Sequence, residues 1–197
     1  MRYWIEVYDD DDLGKVVEFE TDKEFNDDNI SVCGKLTTYM EPKATELVIP
    51  EGVTTLADEV FWNSDLDLED ILAKKLVLPA GLKGIENNAF LMGSFCEIII
   101  DPGNTSFMVK DGGLYTADGK RLIYILVSDE EKEFRIPEGT EIIDGSALYF
   151  WGKIHIPASV TEIGEAMFYD CTHIVAPEGS YAIEFAEENG IEYKLEE

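Results

Sequence analysis

Four prolines set a register that constrains this chain more than any other feature. At Pro50, Pro79, Pro137 and Pro157 the same frame recurs. Apolar residues stand three and one positions before each: Leu47 and Ile49, Leu76 and Leu78, Phe134 and Ile136, Ile154 and Ile156. Six positions after come Leu56, Ile85, Ile143 and Ile163, and eleven after come Phe61, Phe90, Leu148 and Phe168. Gly52, Gly81 and Gly139 follow their prolines by two, with Ser159 in the fourth copy. The apolar-x-apolar triplet has period two, which puts alternate side chains on one side of a short strand. Proline ends that strand because it has no N–H for the ladder. Glycine two residues on suits a turn. The residues at plus six and plus eleven return to the same core from the opposite wall. One such unit cannot bury its own apolar face, whereas stacked copies can, so the pattern predicts a solenoid.

The spacings are uneven. Pro157 follows Pro137 by twenty residues, but Pro79 follows Pro50 by twenty-nine. An insertion near residues 62–74 accounts for the excess, and Leu66, Leu68, Ile71 and Leu72 suggest that it is helical. Ile98-Ile99-Ile100 reads as a strand whose alternation is shifted by one. A second insert, near residues 105–127, predicts a β-hairpin: Gly113–Thr116 and Arg121–Tyr124 flank Asp118-Gly119, a strong two-residue turn signal. A last, degenerate unit carries Ile174, Ala176 and Pro177. The ends are expected to cover the open faces of the stack. Ser180 is placed to cap a helix running through Asn189, Gly190 to stop it, and Ile191–Leu195 to close with a strand. Arg2–Tyr8 and Lys15–Glu20 read as a hairpin with Asp9–Asp12 at its tip. The organisation expected is therefore an N-terminal capping segment (1–46), a repeat solenoid (47–179) and a C-terminal helix-strand cap (180–197).

The segments LVIPEGVTTLADEVF, LVLPAGLKGIENNAF, FRIPEGTEIIDGSAL and IHIPASVTEIGEAMFYDC resemble the BspA-like leucine-rich repeats of bacterial proteins. DPGNTSFMVKDGGLYTADGKRLIYIL is similar to the hairpin insert of that family, and GSYAIEFAEENGIEYKL to its C-terminal cap. The resemblance covers roughly Leu47 to Leu195. It implies a leucine-rich-repeat solenoid, β-rich with short helical or irregular convex segments, an inserted β-hairpin and a helix-strand cap. It also implies a protein-binding role, since many members are surface adhesins.

Composition narrows the partners. A formal charge of -27, from 15 basic and 42 acidic residues, repels nucleic-acid phosphates and anionic lipid, which both need basic patches. A nucleic-acid partner and membrane insertion are therefore not expected, and no apolar stretch reaches the roughly 18 residues that a membrane helix requires. Cys33, Cys96 and Cys171 are odd in number and contain no CxxC pair, so they predict buried free thiols in a reducing compartment. The N-terminal segment has no apolar core of a secretory signal. The expectation is a cytoplasmic address for a complete chain, and a cell-surface or secreted one if an export segment has been removed.

No GxSxG, P-loop, GxGxxG or HExxH pattern is present. His155 stands two positions before Pro157 and His173 four before Pro177, without a clear third ligand, and Asp9–Asp12 lacks the spacing of a calcium loop. No metal and no cofactor is expected, and the chain reads as a non-enzymatic interaction or adhesion module. The competing expectation is an enzyme whose site lies in the N-terminal segment or the 62–74 insertion. Residues two and four before each proline must face away from the core, on the concave sheet. In an acidic chain that face is rich in cations, and Lys75, Arg135, Lys153, His155 and His173 are the candidate binding residues. The competing role for these side chains is cross-strand charge pairing, such as Glu133 with Lys153.

Overall fold

An extended repeat leaves its N–H and C=O groups to be satisfied by the next repeat, so stacking builds ladders as well as a core. The computed structural model describes residues 1–9, 12–25, 30–41, 44–61, 73–91, 93–126, 133–148, 152–165 and 173–196, and of residues 4, 6–9 and 12–14 only the backbone. The chain divides into two compact units, Met1–Ser106 and Phe107–Glu197.

The first unit opens with an antiparallel hairpin, β1 (Arg2–Asp9) and β2 (Asp12–Glu20), in which Asp9 stands opposite Asp12. Residues 10 and 11 of its acidic tip lie outside the described residues. Residues 33–40, which carry no recognisable sequence signal, form β3 (Cys33–Met40), antiparallel to β2. The repeat frame then alternates between two walls. β4 (Glu46–Val48) precedes Pro50 and β5 (Gly52–Leu56) follows it; β6 (Lys75–Leu78) and β7 (Gly84–Ile85) do the same around Pro79. One sheet runs β1-β2-β3-β5-β7, and the other is β4-β6-β8, with β8 (Glu97–Ile100) in parallel register on β6. The shifted alternation holds: Ile98 is buried opposite Leu76, and Ile99 faces solvent.

Between the walls lie Leu47, Leu76, Leu56 and Ile85, with the plus-eleven residues Phe61 and Phe90, whose rings sit 5.6 Å apart. Phe95 completes that aromatic cluster at 5.1 Å from Phe61. Asn104 ties the strand end back to the preceding turn. Its amide donates to the carbonyls of Pro79 (2.8 Å) and Leu82 (2.9 Å), and its side-chain oxygen accepts from Ser106 N–H at 2.8 Å. The free edge of β4 is blocked by Tyr39, whose hydroxyl donates to Val48 C=O at 3.1 Å.

The second unit begins with an antiparallel meander, β9 (Phe107–Lys110), β10 (Gly113–Thr116) and β11 (Arg121–Ile125). Its turn is the expected one: Gly119 has φ +73° and its N–H closes on Thr116 C=O at 2.8 Å. The repeats follow as β12 (Glu133–Arg135), β13 (Ile142–Ile143), β14 (Lys153–His155), β15 (Glu162–Ile163) and β16 (His173–Ala176), then helix α1 (Tyr181–Asn189) and β17 (Glu192–Leu195). The sheets are β15-β13-β11-β10-β9 and β12-β14-β16-β17. The inserted hairpin is thus part of a wall. β11 pairs in parallel with β13, Leu122 opposite Ile143, and occupies the place of a plus-six strand. Leu148 is buried in a short 3-10 turn, Gly145–Leu148.

Two bonds recur at each of Pro50, Pro137 and Pro157. The residue just before it donates to the neighbouring strand, Ile136 N–H to His155 C=O (3.0 Å) and Ile156 N–H to Val175 C=O (2.8 Å). The proline carbonyl then accepts from the residue three further on, closing a turn at Val53, Leu82, Thr140 and Val160. The glycine in that turn has different causes in different copies. Gly139 adopts φ +90°, whereas Gly52 is needed for close approach, since a Cβ there would lie 2.5 Å from Val32 C=O.

Several expectations need correction. Ser180 takes the N-cap position of α1, but its side chain makes no capping hydrogen bond; Gly190 ends the helix at φ 68° as expected. Cys33 is buried but Cys96, which lies just ahead of β8, is exposed. Residues 62–72 of the first insertion, with Phe168 and Cys171, lie outside the described residues.

Ile154 is fully buried between Phe134 and Ile174, so Ile154→Ala should lower unfolding free energy in urea by about 2–5 kcal/mol. Asn104→Ala leaves two carbonyls without their donor and should cost about 1–3 kcal/mol in the same measurement.

Candidate functional site on the pre-proline sheet

Because strand side chains alternate, burial of the residues one and three before proline turns those at two and four outward. In the second unit the parallel register lines these up in two rows. Glu133, Lys153, His173 and Glu192 form one; Arg135, His155, Val175 and Lys194 form the other. The structure therefore brings Arg135, Lys153, His155 and His173 onto one sheet. Lys75 occupies the equivalent place in the first unit, between Glu46 and Glu97. Its neighbours there are the aliphatic row Val48, Val77 and Ile99, of which Val48 is 50% exposed.

Most of the candidate cations have acidic partners. Lys75 Nζ lies 2.8 Å from Glu46, whose hydrogen bond holds the ammonium above its ordinary pKa. Arg135 reaches Glu133 at 2.8 Å and Glu196 at 3.9 Å. His155 Nε2 is 2.7 Å from the same Glu133 oxygen, and its Nδ1 is 3.1 Å from an Arg135 nitrogen. Desolvation opposes the charge of Glu133, but His155 and Arg135 outweigh it and hold the carboxyl below its usual pKa. His173 Nε2 sits 2.7 Å from Glu192. Lys153 is exposed and makes no ion pair among the described residues.

The pairing differs from the sequence expectation in two ways. Glu133 engages Arg135, which shares its side of the same strand, and His155 on the next strand, rather than Lys153 directly opposite. Val175, at an outward position, is only 8% exposed. Glu192, Lys194 and Glu196, absent from the sequence reading, complete the face. The signal that could have found them is the Glu-x-Lys-x-Glu alternation at 192–196.

One buried carboxylate stands apart. Asp144 has a 3% exposed side chain and is gripped by Arg121 of β11 through two contacts of 2.6 and 2.8 Å. Desolvation pushes its pKa up to about 6, against the hydrogen bonds and charge of Arg121. A raised carboxylate can mark a catalytic acid. Here both oxygens are occupied, and the pair bolts the inserted hairpin to the loop after β13. No group of three or more His, Cys, Asp or Glu side chains is placed to hold a metal among the described residues.

Parallel strands recurring at each proline, two walls per repeat and a capping helix define a leucine-rich-repeat solenoid. The chain belongs to the BspA type leucine-rich-repeat family, whose pattern matches six copies over residues 35–109 and 128–186. That match begins in β3, ahead of the first proline frame. Similar solved structures include a leucine-rich repeat protein from Eubacterium ventriosum, at 14% identity and TM-score 0.48, covering 90% of this chain and 67% of that one. A leucine-rich cell surface protein from Faecalibacterium prausnitzii is 25% identical with TM-score 0.49, over 66% of this chain and 41% of its own length. The pneumococcal vaccine antigen PcpA is 13% identical with TM-score 0.46, over 77% and 68%. No curated protein matches the chain.

The raised Asp144 pKa has a defined consequence. Between its ordinary value of 3.8 and about 6, the folded protein keeps a proton that the unfolded chain has released. This group's contribution is thus complete below pH 4 and is lost as pH rises through 6. The stability of wild type relative to Asp144→Asn should fall over that window, by up to about 3 kcal/mol, in thermal melts at stepped pH.

Proposed function

We propose that this protein is a non-enzymatic interaction module that binds an acidic segment of a protein partner across the solvent face of the pre-proline sheet. The observation that carries the proposal is the charge on that face. Strands β12, β14, β16 and β17 carry Arg135, Lys153, Lys194 and two histidines against Glu133 and Glu192, on a chain of net charge -27. Arg135 is 64% exposed at its side chain. Exposed ion pairs are worth only about 0–1 kcal/mol, so a partner's carboxylates can replace Glu133 or Glu196 at little cost. Lys153 is available without displacing anything among the described residues. Family membership supports a binding role, since repeat stacks present extended surfaces. No helix among the described residues is long and apolar enough to cross a membrane.

Capture from bacterial lysate and from extracellular-matrix extract tests the proposal, and the extract that yields a partner indicates the compartment. Arg135→Glu/Lys153→Glu should weaken the captured interaction roughly tenfold, chiefly through a slower association rate that depends less steeply on salt. Lys75→Glu reads whether the first unit's face contributes. Unchanged binding in the double variant, with its fold intact by circular dichroism, contradicts the assignment.

A further inference from the structure

We infer that the protein associates with a second copy of itself through the outer edge of β17, the two strands pairing antiparallel about Tyr193. β17 is the last strand of the sheet β12-β14-β16-β17, and no strand among the described residues pairs with its other edge. This association needs no other partner, so it stands or falls separately from the binding role proposed above.

Main chain and side chains are left open at the same residues. In a parallel ladder the N–H and C=O of one residue turn to one neighbour and those of the next residue to the other. Ala176 C=O accepts from Glu196 N–H at 2.9 Å, so Glu196 turns towards β16, and by alternation so do Lys194 and Glu192. Tyr193 and Leu195 therefore aim their main chain at the outer edge, where a further strand would answer them. Their side chains lie on the core side of the sheet, opposite Ile174 and Ala176. Those two are fully buried, yet Tyr193 is 39% and Leu195 49% exposed. Within the stack a following strand covers residues of this rank.

Charge complementarity selects a second copy and its register. With Lys194 opposite its own counterpart, Glu192 faces Glu196 and every charged pair repels. Centring the strands on Leu195 pairs Lys194 with Glu196 but sets Tyr193 against Glu197. Centring them on Tyr193 pairs Glu192 with Lys194 on the solvent side, in both directions, and Ile191 with Leu195 on the core side. Each Tyr193 N–H then meets the other copy's Tyr193 C=O, and each Leu195 N–H the other's Ile191 C=O. The Ile191 N–H is already given to Ala186 C=O at 2.9 Å. A lysine on an edge ordinarily discourages pairing, but here Glu192 of the second copy answers it. Glu192 uses one oxygen for His173 and is 79% exposed at its side chain, so its other oxygen can take Lys194. The Tyr193 hydroxyl stays with Glu187 at 2.6 Å, leaving the ring for the seam. Repulsion between two chains of charge -27 is screened beyond about 8 Å at physiological salt. One strand pair is a small interface, so the dimer forms reversibly with concentration.

Sedimentation velocity of the full chain at about 0.15 M salt, over rising protein concentration, tests the pairing. Wild type is expected to pass reversibly from monomer to dimer. Leu195→Pro removes an outward N–H while sparing the ladder to β16, and should weaken the dimer roughly tenfold or more. Glu192→Lys and Lys194→Glu each set like charges opposite one another and should each weaken it roughly fivefold. Glu192→Lys makes the chain less acidic, so a net-charge effect would strengthen the dimer instead. Glu192→Lys/Lys194→Glu restores the complementary pairs and should return to within about twofold of wild type. An equimolar mixture of the two single variants should form a heterodimer. Arg135→Glu/Lys153→Glu should associate as wild type does, and circular dichroism checks the fold of every variant. A wild type that stays monomeric, a dimer indifferent to Leu195→Pro, or a folded double charge-swap variant that fails to recover overturns the inference.

Discussion

Every other feature of this structure depends on one constraint: no repeat can satisfy its own backbone. The N–H just before Pro50, Pro137 and Pro157 is answered by a carbonyl on the next strand, as Ile49 is by Val77, Ile136 by His155 and Ile156 by Val175. The side chains follow the same rule, because Ile154 has neither its ladder nor its buried surroundings without Phe134 and Ile174 on either side. Proline sets the rhythm. It ends the strand, and its carbonyl closes the turn that sends the chain to the opposite wall. An array built this way is as stable as its neighbour contacts, which is why both ends need covering. At the start, β1–β3 extend the plus-six wall and Tyr39 closes the edge of β4; at the end, β17 extends the pre-proline sheet.

Stacking also decides what the surface can present. Parallel register places residues of equal rank in adjacent repeats side by side, so one position in the repeat becomes a row on the sheet. The row of Glu133, Lys153, His173 and Glu192 and the row of Arg135, His155, Val175 and Lys194 are products of register alone. Their charges cost the core nothing, because the residues on the other side of the same strands do the packing.

The repeat frame was legible because it combines period two, a fixed proline and two returning apolar positions. The same reading located the shifted strand at Ile98, the Asp118-Gly119 turn and the Gly190 stop. β3 was not legible: a register shift between Gly34 and Lys35 breaks its alternation, and its pairing changes from antiparallel with β2 to parallel with β5. That the hairpin forms part of a wall was hidden, since Leu122 meets Ile143 only through the fold. The outward face was legible by position but not by partner. Glu133 pairs along its own strand, and Glu196 arrives from beyond a helix.

Native-state hydrogen exchange on the wild type and on Ile154→Ala tests the interdependence of repeats most directly. If each strand is completed by its neighbours, the substitution should speed exchange of the Ile136 and Ile156 amides together, on β12 and β14 alike. Faster exchange confined to β14 and its own turn would contradict the account and make each repeat a self-sufficient unit.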